Sequence, residues 1–275
     1  MKVDTHIVDS FLAMENIDKF KNYWIYETIG QGEFKYKNVF SKPSSAAMKD
    51  IQMIYNEIKQ CLLDFEPFNR ELWDILFPNW VSLLQNVEIY LIVGLPEPND
   101  ATVIKNPSGT NVIVLDLGCW VKYLRNTNIT QLVRNIITHE FCHICIQGEN
   151  PAIDRDYEDG DYLTKFNSLV FNEGLAHLLS FCENINNYDW NNPKINEVKS
   201  KSLLRFKEAI VESETEKQNS YLYDAMFGNY YDKFGCIIGM LYFSDIYQRY
   251  KSQGLLDEYN AGHKAIVKKI LNFYR

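Results

Sequence analysis

Apolar residues recur at helical spacing between Met48 and Phe65, at Met48, Ile51, Ile54, Tyr55, Ile58, Leu62 and Leu63. Such a stripe predicts an amphipathic helix. Ser44 or Ser45 stands where its N-cap belongs. Shorter helical stretches are expected over Glu71–Phe77 and Trp80–Gln85, so the first 85 residues are mostly helical. The pattern then changes. Val87–Val93 (VEIYLIV) is a continuous β-rich run ended by Gly94. A short strand is expected at Ala101–Ile104, a turn at Asn106-Pro107-Ser108-Gly109, and a further strand at Asn111–Leu117 (NVIVLDL). From Thr130 onward the pattern is helical again, apart from a polar loop over Gly148–Asp161. Helices, a small sheet and then helices predict an α+β fold, mostly helical, with the sheet preceding a long helix. The expected division is a helical N-terminal region, 1–85, and a second domain, 86–275.

Composition narrows the function classes. The chain has 275 residues, 46% apolar and 23% charged, enough to bury a full core. A formal net charge of −8 argues against nucleic acid as a partner, since affinity for a phosphate backbone needs clustered Lys and Arg. Lys264, Lys268, Lys269 and Arg275 form a local basic group, expected on the wet face of a terminal helix. No run approaches 18 apolar residues, so no membrane span is expected. The opening MKVDTHIVDS lacks an apolar signal core, and six cysteines are too sparse for a disulfide scaffold. Together these features predict a cytoplasmic protein with reduced thiols.

The chemistry concentrates in Thr130–Gly148, with Thr130 as expected N-cap and Gly148 at the helix end. It contains His139-Glu140-Phe141-Cys142-His143, an H-E-x-x-H motif. Positions i and i+4 share a helix face, so both imidazoles can reach one cation at about 2.0–2.1 Å. Glu140 projects beside such an ion, where it can take a proton from water. The chain has five histidines, and two of them form this motif. A second apolar helix is expected over Ser168–Phe181 (SLVFNEGLAHLLSF). Glu173 interrupts its apolar surface, and a carboxylate there must be paired, hydrogen-bonded or metal-bound. The small residues Gly174 and Ala176 permit close helix approach. If the two helices meet, His139, His143 and Glu173 are expected to form a His₂Glu set around Zn²⁺ with one position left for solvent.

The pair of motifs, H-E-x-x-H and Asn172-Glu173-Gly174-Leu175-Ala176, resembles the gluzincin metallopeptidases. The element order over Val87–Tyr242 is similar to a family of bacterial predicted zinc-dependent proteases. The resemblance implies a zincin-like catalytic domain and a peptide or protein substrate. It implies zinc held by His139, His143 and Glu173, with Glu140 as general base. It also implies a downstream Tyr or His that donates a hydrogen bond to the oxyanion. Tyr231 is the first candidate for that role and Tyr230 the second, within Gly228–Gly239. His177, one turn after Glu173, either orients a ligand, binds the oxyanion or is an ordinary hydrogen-bonded histidine.

Other assignments are weaker. Ile146 and Glu149 stand where a metzincin needs glycine and histidine, which excludes that class. Asp161 is a lesser candidate for the third ligand. The acidic run from Asp154 to Asp161 lacks the spacing of a calcium loop. Cys142 and Cys145 are expected to be core thiols. Asn111–Leu117 is either a structural strand or, at a sheet edge, one onto which an extended peptide can add. The alternatives to peptide cleavage are hydrolysis of a non-peptide amide or ester, and metal or partner binding without turnover.

Overall fold

The computed structural model describes residues 1–31, 39–97, 99–125 and 128–275. In chain order the elements are β1 (Lys2–Asp4), α1 (His6–Leu12), α2 (Trp24–Gln31), α3 (Met48–Leu63), α4 (Arg70–Leu76), α5 (Trp80–Leu84), β2 (Glu88–Ile92), β3 (Ala101–Lys105) and β4 (Asn111–Asp116). There follow α6 (Leu117–Trp120), α7 (Ile129–Glu149), α8 (Ala152–Asp159), α9 (Tyr162–Ser180), α10 (Pro193–Ala209), α11 (Thr215–Met226), α12 (Phe234–Ala261) and α13 (Ile266–Phe273). The fold is α+β and mostly helical, as the periodicity predicts. The chain divides into two compact units, one of residues 1–66 and 81–140, the other of 67–80 and 141–275.

The first unit holds a four-stranded sheet in the order β1-β2-β4-β3. β1, β2 and β4 are parallel, and β3 is antiparallel to β4. β2 and β4 read as continuous apolar runs because both of their faces are buried, as parallel strands require. β3 is only half-buried, as suits a sheet edge. β4 is hydrogen-bonded to a neighbour on each side. That removes Asn111–Leu117 as a strand to which a peptide could add. β1 was not expected; three residues are too few to show a period.

Asp116 ends β4 and caps α6, accepting hydrogen bonds from the backbone N–H groups of Leu95 (2.5 Å), Gly118 (2.8 Å) and Cys119 (3.1 Å). The carboxyl is fully buried, and loss of water pushes its pKa up to about 7 against the pull of these donors. Ser44 caps a short 3₁₀ turn leading into α3, through Ala46 N.

In the second unit α9 lies at the centre. Phe166 packs on Phe206 of α10 and Phe234 of α12, and Phe171 packs on Phe243 of α12. The α9–α12 crossing is set by two glycines. A Cβ on Gly174 would lie 2.6 Å from Gly239 C, and one on Gly239 would lie 2.3 Å from Val170 O. Asn69 ties residues 67–80 to this core. Its Nδ2 donates to Leu179 O and Cys182 O, both at 2.9 Å, and its Oδ1 accepts from Ile185 N. Helix α12 breaks at Lys251, whose φ of 57° is left-handed.

Two local expectations change. The stretch Gly148–Asp161 is not a loop: α7 continues through Glu149 and α8 follows, burying Ile153. Glu158 and Asp159 are exposed on this helix, whereas Asp156 turns to the buried His263, and the polarity of the stretch conceals its short apolar period. The N-cap of α7 is Asn128 rather than Thr130, since Asn128 Oδ1 accepts from Thr130 N (3.0 Å) and Gln131 N (3.3 Å).

Candidate metal centre

The stretch of α7 from Ile137 to Ile146 is buried on nearly every side, with His139 partly exposed. His143 and Glu140 are buried there among apolar neighbours. A polar group in such a setting needs a partner. For His143 the partners are visible. Its Nδ1 lies 3.0 Å from Asn172 Oδ1, and its Nε2 lies 3.4 Å from Glu173 Oε1. The ring that donates Nδ1–H to the amide oxygen keeps a lone pair on Nε2, turned toward the carboxylate. So the asparagine of N-E-G-L-A orients the second histidine of H-E-x-x-H.

The 3.4 Å separation suits a shared ion. Two donors bound tetrahedrally at about 2.0–2.1 Å stand about 3.3–3.4 Å apart. A second grouping adds to it: His139, Glu173 and His177 each offer one ligand atom, all within 4.8 Å of one another. Three of the five histidines therefore approach Glu173. The other two are engaged elsewhere, His6 with Asp4 and His263 with Asp156 (2.8 Å). A set of imidazoles and one carboxylate, with a hydrogen-bond acceptor behind one ring, is the donor chemistry that zinc takes.

His177, one turn after Glu173, is part of the cluster. Its Nδ1 lies 2.9 Å from Glu173 O, one turn back on α9. A neutral ring donating Nδ1–H to that carbonyl carries its lone pair on Nε2. Such a ring can ligate a cation and cannot donate to an oxyanion. The i, i+4 spacing from Glu173 was the available signal.

Glu173 itself is buried on one side. Oε1 faces His143, whereas Oε2 lies 3.5 Å from His177 Nδ1 and 3.7 Å from the Cys236 thiol. Burial first, and then the Glu173 charge, push the Cys236 thiol well above its ordinary pKa. Cys142 is raised likewise by burial, and all six cysteines are free. The C-x-x-C of α7 is therefore a pair of core thiols.

The two tyrosines separate. The Tyr230 ring lies tilted against His177, with centroids 5.6 Å apart. Over a third of Tyr230 is exposed, but its hydroxyl points inward at Met240 Sδ (3.7 Å), and loss of water there raises its pKa. Tyr231 lies edge-on to Tyr230, with Lys194 Nζ 4.5 Å above its ring and its hydroxyl sharing a hydrogen bond with Tyr188. The structure thus brings Tyr230, not Tyr231, into contact with the histidine cluster. Asp161 is the N-cap of α9, accepting from Thr164 N at 2.8 Å, which explains its position without a metal.

Among the described residues no helix is long and apolar enough to cross a membrane. No curated protein and no solved structure gives a significant match to the chain. Residues 15–264 match the sequence model of DUF5700, described as a "Putative zinc dependent peptidase", and the chain belongs to that family.

Proposed function

We propose that the protein is a zinc-dependent peptidase whose site lies on α7 and α9. The metal ligands are His139, His143 and Glu173, with His177 alongside. The observation that carries this reading is the meeting of the two motifs, His143 Nδ1 on Asn172 and His143 Nε2 beside Glu173 Oε1. The family description supports it at the level of a zinc peptidase.

Zinc, when bound, lowers the pKa of water toward about 7 and polarises a carbonyl. The chain's own residues do the rest. Asn172 and the Glu173 carbonyl hold two imidazoles in the tautomers that leave the Nε2 lone pair for a cation. Glu140, following His139 on α7, takes a proton from water and returns it to the leaving amine. A phenol donates a hydrogen bond to the developing oxyanion while neutral. The resemblance nominates Tyr231; contact with His177 favours Tyr230. The substrate is a peptide or protein.

The test is elemental analysis of the purified protein joined to cleavage of an unbiased peptide library. One zinc per chain and peptide products are expected. Glu140→Gln should keep the zinc and lose turnover. A protein that takes up no zinc, or a fully active Glu140→Gln variant, overturns the reading.

A further inference from the structure

Glu173 presents its two oxygens to different neighbours, and the difference points to a residue that neither motif contains. Oε1 faces His143 Nε2 at 3.4 Å. Oε2 faces Cys236 Sγ at 3.7 Å, within reach of an S–H donor. His177 Nδ1 also lies 3.5 Å from Oε2, but its proton is directed at the Glu173 backbone carbonyl at 2.9 Å. The thiol is thus a donor to Oε2 from α12.

The placement follows from the fold. Cys236 lies three residues before Gly239, on the stretch of α12 that crosses α9 at Gly174, the residue after Glu173. Without Cβ atoms at 174 and 239 the two backbones touch, and Cys236 is carried up to the carboxylate. Its side chain is fully buried. A thiol is a weak donor that tolerates a long contact, so it can hold one carboxylate oxygen without competing for a cation at the other.

We propose that Cys236 is a positioning residue for Glu173: its S–H holds Oε2, so that Glu173 offers Oε1 alone to the metal and a coordination position stays open for solvent. This rests on Glu173 being a metal ligand, as proposed above. Loss of the thiol removes one hold on Oε2, which can then turn and chelate alongside Oε1. Groups that orient ligands from behind typically change metal affinity or activity by 10- to 100-fold when removed, and a weak thiol donor belongs at the lower end.

The experiment compares full-length parent, Cys236→Ala and Cys236→Ser proteins. Zinc affinity is read by chelator competition, and coordination by the visible d–d spectrum of the cobalt(II)-loaded protein. Cys236→Ala should bind zinc about tenfold more weakly and show an altered cobalt spectrum. Cys236→Ser, which keeps a donor, should recover most of the affinity and the parent spectrum. Should the alanine variant fail to fold, Cys236→Val, also without a donor, replaces it against the serine variant. Donor-free and parent proteins with equal zinc affinity and identical cobalt spectra overturn the role of Cys236 and leave the metal site standing. So does a serine variant no better than alanine. A parent that binds no zinc overturns both.

Discussion

The α9–α12 crossing makes Gly239→Ala a severe change with a calculable direction. Alanine is the better helix former, by about 1 kcal/mol, and in an open helix this substitution stabilises. Here the new Cβ would lie 2.3 Å from Val170 O and 2.9 Å from Gly174 Cα. An ordinary carbon–oxygen approach is about 3.3–3.6 Å, so the shortfall at Val170 is about 1 Å. Both obstacles are backbone, and no rotamer change relieves them. The helices must part locally, and the layer around Phe171 and Phe243 loosens with them. Forcing one extra carbon into a packed interior costs about 1–3 kcal/mol. With rigid neighbours the upper end applies, leaving about 2 kcal/mol net after the propensity gain. For a chain of this size each kcal/mol moves the midpoint by about 2–4 °C, so a fall of about 4–8 °C is expected. Thermal unfolding of metal-free parent and variant, followed by circular dichroism, reads it directly. Because Glu173 adjoins the crossing, zinc affinity should fall in parallel. A Gly239→Ala protein as stable as its parent would refute the close-crossing argument.

The amide behind His143 should matter to the metal: Asn172→Ala should weaken zinc about 10- to 100-fold by chelator competition, with little change in unfolding midpoint of the metal-free protein. Tyr230→Phe should lower kcat by about 10²–10³ if its phenol stabilises the oxyanion, whereas Tyr231→Phe should be near parent; the reverse order would return the role to Tyr231. Asp116 gives a pH signature. Its folded pKa of about 7 exceeds the ordinary carboxyl value of 3.8, so between these values the folded state holds the proton more tightly. Stability from this group is therefore full below pH 4 and lost as pH rises to 7, by a few kcal/mol at most. The difference between parent and Asp116→Asn in urea unfolding should shrink or change sign across that window; a pH-independent difference would show the carboxyl to be ionised throughout.

The helical face of α3, the strands β2 and β4 and the site helices were legible because each is long and strongly periodic. So was the mostly helical α+β class, and the H-E-x-x-H spacing marked the histidines that the structure brings toward Glu173. What escaped was short or polar. β1 has three residues and no period, and α8 carries so many acids that Ile153 alone marks its buried side. The contacts of Asn172 with His143 and of Cys236 with Glu173 depend on which atom faces which across two helices. Spacing along one helix cannot reveal that. The choice between Tyr230 and Tyr231 had the same origin: adjacent residues point in different directions, and one lies on His177 while its neighbour lies under Lys194.

The parallel pairing of β1 with β2 has a consequence for synthesis. Lys2 and Glu88 are partners 86 positions apart, and closing a loop of that length costs about 4 kcal/mol in chain entropy. At about 5–20 residues per second the ribosome needs roughly 4–17 s to supply the partner. Throughout that interval the first strand waits unpaired. Its shortness and its two charges, Lys2 and Asp4, make it a poor template for a wrong neighbour, which protects the nascent chain from aggregation until β2 emerges.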